Sequence, residues 1–538
     1  MAKSRRRFWT SALAGVIGAA LSGTAAGQAP VSGPTLIPPA APSVIPPVDV
    51  LPPAASVIPP VQLPPTEPDG FRARMSTPAS AAPAVPTLTF AQAKDEPGLS
   101  SKPPAFTLPS PSTTPPAKDG AAPAPANTND AAPFAGFGDI QDAFSALLPG
   151  NFKDTKYKWY GFVRLDTIYD FKPMGSTDSF VTSSIPVPQG KGQNFVMTPR
   201  YTRLGFDTLT PLKDCYDWEV KTRIEMDFFN GNTSGVFGSF PLRLRFAWID
   251  VGPFLIGQAA SLFMDYDVYP NVLDYQGPPG MVLMRQPILA VRLPLADNLK
   301  LSVGVEQPYS DIQWLEGGEF IVNPGTGIIT EPGVPKNIQN MPDFTANIRY
   351  TGDYGHLQAA GILRKLTFQN AIEHQSDEVG YGVNITGTFH PWAFLHGIPN
   401  SADCRGPWEK SRFLAQFATG RGISRYFNDT NGLGLDATFD PVRGFRTLQS
   451  TGWFVAYEQW WTDKLASNFT YGQMRVDVNG TLLPDDTYKM ADYVTANLIW
   501  LPIERLGMGI EFLYGSRENK DGAKGKNCRI QAGVQYRF

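Results

Sequence analysis

The stretch Trp218-Glu219-Val220-Lys221-Thr222-Arg223-Ile224-Glu225-Met226-Asp227-Phe228 alternates without a break. In an extended chain, Trp218, Val220, Thr222, Ile224, Met226 and Phe228 share one face, and Glu219, Lys221, Arg223, Glu225 and Asp227 share the other. A soluble sandwich strand also alternates, turning its polar face to bulk water and its apolar face to a core. Length separates the two cases. The run 217–229 is longer than the roughly 5–6 residues common in globular sheets. It suits a bilayer crossing, which takes about 9–11 tilted residues.

Outward from this stretch the same period recurs. Sixteen segments carry it: 157–171, 200–208, 217–229, 241–251, 254–262, 286–295, 299–306, 342–351, 356–368, 379–390, 411–420, 450–462, 466–478, 489–501, 507–516 and 527–538. An even number suits a bacterial barrel whose two ends lie on one side. The connections alternate in length, as periplasmic turns and external loops do. Gly252-Pro253, Ala296–Asn298, Gly352–Gly355, Asp463–Leu465 and Pro502–Leu506 are short, whereas 172–199, 263–285, 307–341 and 421–449 are long. Pro391–Lys410 breaks the pattern, being long on the short side. The apolar parity of 466–478 switches between Tyr471 and Met474, which predicts a bulge. Trp159, Tyr169, Phe171, Trp453, Trp461, Tyr493, Trp500 and Tyr514 sit toward strand ends, where a barrel carries its aromatic girdles. At the end of the chain, Ile530, Ala532, Val534, Tyr536 and Phe538 alternate with polar residues and glycine. A final strand ending in an aromatic resembles the signal that outer-membrane assembly machinery reads, which assigns that role to Tyr536 and Phe538. The fold class expected is all-β: a 16-stranded antiparallel transmembrane β-barrel with an N-terminal proline-rich disordered extension.

Composition agrees with this division. The chain has 538 residues, and residues 1–150 hold 28 of its 51 prolines. Residues 1–27 read as an export signal: Lys3, Arg5, Arg6 and Arg7 precede a short apolar run, with a cleavage zone at Thr24–Gly27. Residues 28–133 contain two near-copies, 43–53 and 56–65, whose proline density excludes helix and sheet. They read as a periplasmic tether, with the cell wall as its expected partner, or as unselected disorder. In 134–150, Phe134, Phe137, Ile140, Phe144 and Leu148 recur near helical spacing, as in a short amphipathic helix. A net charge of −3 argues against a nucleic-acid partner.

Sixteen strands leave a lumen too wide for side chains to fill. Strand parity turns Arg164, Arg203, Lys221, Arg223, Arg243, Arg245, Arg292, Arg349, Arg364 and Arg529 inward, with Asp166, Glu219, Glu225, Asp227, Glu458 and Glu511. Arginines in a confined pore attract carboxylates and phosphates. The alternative is a neutral ladder of ion pairs that braces the wall. Under the first reading, glutamate at Arg243 and Arg245 abolishes a mild anion preference. Loop 263–285 is the candidate constriction, with Asp265, Asp267, Asp274 and Arg285 facing the basic walls across the bore. Turn capping or a surface calcium site are the other roles open to its aspartates. No cofactor or resident metal is expected. His356, His374, His390 and His396 fall in no nucleophile or metal motif, so no enzyme is expected. Cys215 and Cys404 could pair on the periplasmic side, leaving Cys528 free, or all three could be thiols.

Several segments resemble the DcaP-like family of outer-membrane porins. They are LIGQAASLFMDYDVYPNVLDYQGPPG (255–280) with MRQP (284–287), PDFTANIRYTGDYGHLQAAGILRKL (342–366), QFATGRGISRYFND (416–429), VAYEQWWTDKLASNFTYG (455–472), ANLIWLPIERLGMGIEFLYGSREN (496–519) and RIQAGVQYRF (529–538). The resemblance covers nearly all of 151–538. It implies a homotrimer in outer-membrane lipid, passive uptake of small anions such as dicarboxylates, and a constriction at 263–285. The head departs from the family, whose members tend to carry an N-terminal helical segment suited to a coiled coil. A structural envelope anchor, gripping the cell wall through the head with a mostly closed lumen, is the rival function.

Overall fold

The computed structural model describes residues 154–212, 218–230, 240–312, 322–323, 327–328, 336–369, 375–400, 402, 405–440 and 444–538. The export signal, the proline-rich segment, the 134–150 helix, His374, Cys215 and Cys404 lie outside them. Cys528 is a free thiol.

Sixteen strands form the wall. They are β1 (Lys156–Asp170), β2 (Arg203–Pro211), β3 (Glu219–Asp227), β4 (Arg243–Val251), β5 (Phe254–Ala260), β6 (Arg285–Ala296), β7 (Leu299–Glu306), β8 (Asp343–Gly352), β9 (Gly355–Gln369), β10 (Gln375–Phe389), β11 (Arg412–Arg421), β12 (Gln449–Thr462), β13 (Leu465–Val476), β14 (Tyr488–Ile503), β15 (Leu506–Asn519) and β16 (Lys524–Arg537). Each pairs antiparallel with the next, and β16 closes on β1 from Phe162↔Arg537 to Asp170↔Arg529. All sixteen expected segments are strands, and the all-β barrel expectation holds. Two short strands extend the wall on the long-loop side: Asn194–Thr198 against β1 and Lys336–Ile338 against β9.

Alternation has the physical cause the sequence suggests. Val163, Ile224, Ile256, Val383, Leu498 and Ile510 point outward and are about half exposed. An apolar band of this extent around a closed sheet belongs in lipid, because in water it would drive association. Alternate residues turn inward and are buried, including Arg164, Glu225, Asn384, Gln416 and Glu511. No helix among the described residues is long and apolar enough to cross a membrane; the strands do the crossing.

The interior is not a uniform wet tube. Loop 261–284 folds back into the barrel, and 422–436 packs beside it. Phe263, Met264, Val282 and Met284 of the first loop meet Ile423, Tyr426, Phe427 and Leu435 of the second in one apolar core. That core also takes inward residues of the wall: Ala360, Ile362, Ala418, Met474, Val476 and Ala491. This corrects the expected bulge in β13. Its register against β14 runs unbroken from Phe469↔Ala496 to Arg475↔Met490. Met474 and Val476 are apolar because this side of the lumen is dry. Tyr493, read as a girdle residue, is likewise fully buried, and it packs edge-on against Phe180 of the first long loop. A bulge does occur in β4, at Arg245 opposite Glu225/Met226.

Candidate functional site: the narrowed bore

Backbone hydrogen bonds to carboxylates hold the inward loop on its seat. Glu511 of β15 accepts from the amides of Leu273 (2.8 Å) and Asp274 (2.9 Å), and Glu458 of β12 accepts from that of Asn271 (2.8 Å). Wall amides serve the loop carbonyls: Asn384 donates to Phe263 (2.7 Å), Asn497 to Asn271 (2.9 Å) and Gln416 to Gly280 (2.8 Å). These donors and acceptors lie on β10, β11, β12, β14 and β15. Asn347 of β8, Gln358 of β9, Gln531 of β16 and Arg164 of β1 also donate to loop carbonyls, so the loop is laid along β8–β16, reaches β1, and narrows the space in front of β2–β6.

Asp265 anchors the start of the loop. Its carboxylate accepts from Thr386 (2.7 Å), bonds His356 Nε2 (2.7 Å) and pairs with Arg349 (3.1 Å). Asp267 also pairs with Arg349. Burial opposes the charge on Asp265, but the His356 hydrogen bond and the charges of His356 and Arg349 hold the carboxyl down at about 2. Asp265, Asp267 and His356 place ligand atoms within 4.8 Å of one another, yet Arg349 already supplies the cation. Asp274 is fully buried and works as a turn cap, accepting from the amides of Phe180 (3.0 Å) and Gln276 (3.4 Å). Arg285 donates to the hydroxyl of Tyr266 (3.0 Å).

A low carboxyl value stabilises the fold above the group's ordinary value of 3.8 and loses that contribution as pH falls toward 2. Single-channel conductance should thus stay steady from neutral pH to about 4 and become noisy only below it. In Asp265→Asn the noise should be present at neutral pH. Recordings over a pH series check both.

Of the predicted bases, Arg349 on β8 holds the loop, Arg364 on β9 pairs with Asp343 and Asp436, and Arg529 on β16 pairs with Asp170; the others lie on the opposite wall, each beside an acid. Arg164 pairs with Asp166 (2.6 Å), Arg223 with Asp207 (2.7 Å), Arg243 with Asp227 (2.7 Å) and Arg245 with Glu225 (2.6 Å) and Asp227 (3.1 Å). Arg292 pairs with Asp250, and Lys221 lies 3.5 Å from Glu219. Arg203 stands apart. Its nearest acid, Glu225, is 3.5 Å away, and its Nε has no hydrogen-bond partner. Its guanidinium lies over Phe162 (5.2 Å) and Tyr275 (5.8 Å), with Arg245 and Arg285 as cationic neighbours. Tyr536 faces outward on β16, and the amide of Phe538 donates to Gly161 on β1 (3.1 Å), where the barrel closes.

Between loop and wall lies a cavity of about 460 Å³, lined by Tyr160, Phe162, Arg164, Arg203, Glu225, Tyr269, Tyr275, Glu504, Arg505 and Arg537 among others. Sequence reasoning did not single out Tyr160, Phe162, Tyr269 or Tyr275. The tyrosine spacing in the quoted loop was the available signal. Arginines held against aromatic rings, with open space in front, suit anions that carry an apolar body.

A closed barrel with a lipid-facing apolar band and an inward loop that narrows its bore has the fold of an outer-membrane porin. Residues 145–323 match the family described as DcaP outer membrane protein, a likeness that, with the barrel, supports a location in the outer membrane. Among solved structures it is similar to the outer membrane channel DcaP of Acinetobacter baumannii, at 20% identity over 72% of this chain and 98% of that one, with a TM-score of 0.58. An anion-selective porin from Comamonas acidovorans aligns at 8% identity over 71% of this chain and 100% of that one, with a TM-score of 0.41. OmpF of Salmonella typhi aligns at 12% identity over 73% and 99%, with a TM-score of 0.44. Comparison with curated proteins returns no match.

Proposed function

We propose that the barrel gives passive diffusion to small hydrophilic solutes, with a mild preference for dicarboxylate-like anions, and that it works as a homotrimer. Arg203 is the observation that carries this reading. Its charge faces the cavity over two aromatic rings, hydrogen-bonded to no acid and flanked by two further arginines. The other wall arginines are neutralised at close range, which is why the preference is mild. The test is the reversal potential of the purified protein in a planar bilayer under a KCl gradient. A chloride-to-potassium permeability ratio above one is expected, and a ratio at or below one refutes the preference.

The amount of loop packed inside the barrel favours a second reading, an envelope anchor with a mostly closed lumen, gripping the cell wall through residues 28–133. The same bilayer separates the two, since a closed barrel passes no current.

A further inference from the structure

The connection between β10 and β11 lies on the short-turn, periplasmic rim, and the channel makes no use of it. It folds as two short helices, α1 (Pro391–His396) and α2 (Pro407–Lys410), each with proline in its first turn. Gly397 ends α1 in the left-handed conformation, at φ 67°. The segment is tied to the neighbouring turn: the amide of His390 donates to Tyr354 (2.9 Å) and that of Asn400 to Asp353 (2.6 Å).

Its side chains show on which side of the wall it sits. The indole N–H of Trp392 donates to the hydroxyl of Tyr457 (2.9 Å). Tyr457 lies on the outward face of β12, next to the buried, inward Ala456. Phe394 packs on Tyr354 (5.3 Å) and on the outward Phe389 of β10 (5.7 Å). Trp408 stands edge-on between Trp392 (5.1 Å) and Trp461 (6.2 Å). The helices therefore hang on the outside of the cylinder.

What remains uncovered is apolar: Phe394 is 55% exposed, Leu395 67% and Trp408 41%. This surface is continuous with the lipid-facing band through Phe389, Phe413 and Trp461, themselves 43–50% exposed. Polar groups pair among themselves elsewhere on the segment. Arg405 bonds His390 (2.8 Å), His396 bonds Glu409 (2.7 Å) and Lys410 pairs with Asp463 (2.7 Å). An apolar face with tryptophan at its edge and paired charges beside it is the make-up of an element lying in a membrane interface.

We propose that α1 and α2 form an interfacial foot seated in the periplasmic leaflet, with phospholipid acyl chains covering Phe394, Leu395 and Trp408. The occupant is lipid because the uncovered face continues the surface that lipid already covers.

The test places the photo-cross-linking residue p-benzoylphenylalanine at Leu395 in the full chain and illuminates intact outer membranes. The same residue at Ile510, on the lipid-facing side of β15, is the positive control. A phospholipid adduct on the peptide containing position 395, at a yield within about twofold of the control, is expected. A product of twice the chain mass would make the face a contact between copies of this chain and overturn the proposal. An adduct with another protein, or none while Ile510 captures lipid, would overturn it too. If the variant at 395 fails to give the folded, heat-modifiable band, the probe at Phe394 reads the same face with the same outcomes.

Discussion

Replacing both Arg203 and Arg285 by glutamate turns the channel from anion-preferring to cation-preferring, with the permeability ratio moving by about tenfold. That is the low end of what a focused field does to local ion concentration. Reversal potentials under a KCl gradient measure it. The choice of residues follows from the pairing. Glutamate at Arg243 and Arg245 would bring two carboxylates against Asp227 and Glu225, four in one cluster, a repulsion that would deform β3 and β4 before it reported on the pore. Arg203 is the wall arginine farthest from its acid, at 3.5 Å from Glu225, and Arg285 is held by a phenol rather than a carboxylate. The milder pair Arg203→Gln and Arg285→Gln removes the preference without reversing it. An unchanged ratio in both double variants would mean that these guanidinium groups do not face the ion path.

The second large effect concerns the seat of the inward loop. At Gly280 a Cβ would stand 2.3 Å from the carbonyl oxygen of Gln473 and 2.4 Å from the amide nitrogen of Trp453, both backbone atoms of the wall. The wall answers with glycine: a Cβ on Gly452 would meet the Cα of Gly280 at 2.8 Å, and one on Gly472 would meet Pro278 at 2.5 Å. At Gly280 loop and wall touch backbone to backbone, and the Phe427 ring and Pro278 close the approach at Gly452 and Gly472, so little there yields as the end of a flexible side chain would. Gly280→Val should lift the loop, cost roughly 1–3 kcal/mol by overpacking, and raise single-channel conductance several-fold with added noise. Gly361→Ala on β9, where the nearest atom to a new Cβ would be 3.9 Å away, should leave conductance unchanged. Equal conductance in wild type and Gly280→Val would show that another element limits the bore.

The features legible in the sequence were those set by period and length. Alternation marked all sixteen strands, and loop length separated a short-turn rim from a long-loop rim. Parity also sent Arg164, Arg223 and Arg245 to the lumen. The partners of these arginines could not be read the same way. Asp207 meets Arg223 and Asp227 meets Arg243 as cross-strand neighbours, and a slip of two residues would keep every parity while changing every pair. Asp207 and Asp250 sit near the ends of the expected segments 200–208 and 241–251, where parity is least secure.

Sequence alone determined that this chain makes a sixteen-stranded cylinder for lipid, because a two-residue repeat over bilayer-length segments has few other solutions. Tertiary structure alone decided how much of the cylinder is open. Loops 261–284 and 422–436 dry one part of the lumen, where Met474 faces inward, and Phe180 of the first long loop covers the inward Tyr493, both against the pattern of the rest. Arg203 keeps a free face because its nearest acid, Glu225, is claimed by Arg245 at 2.6 Å. Both outcomes depend on which distant segments meet inside the barrel, and local alternation carries no record of that.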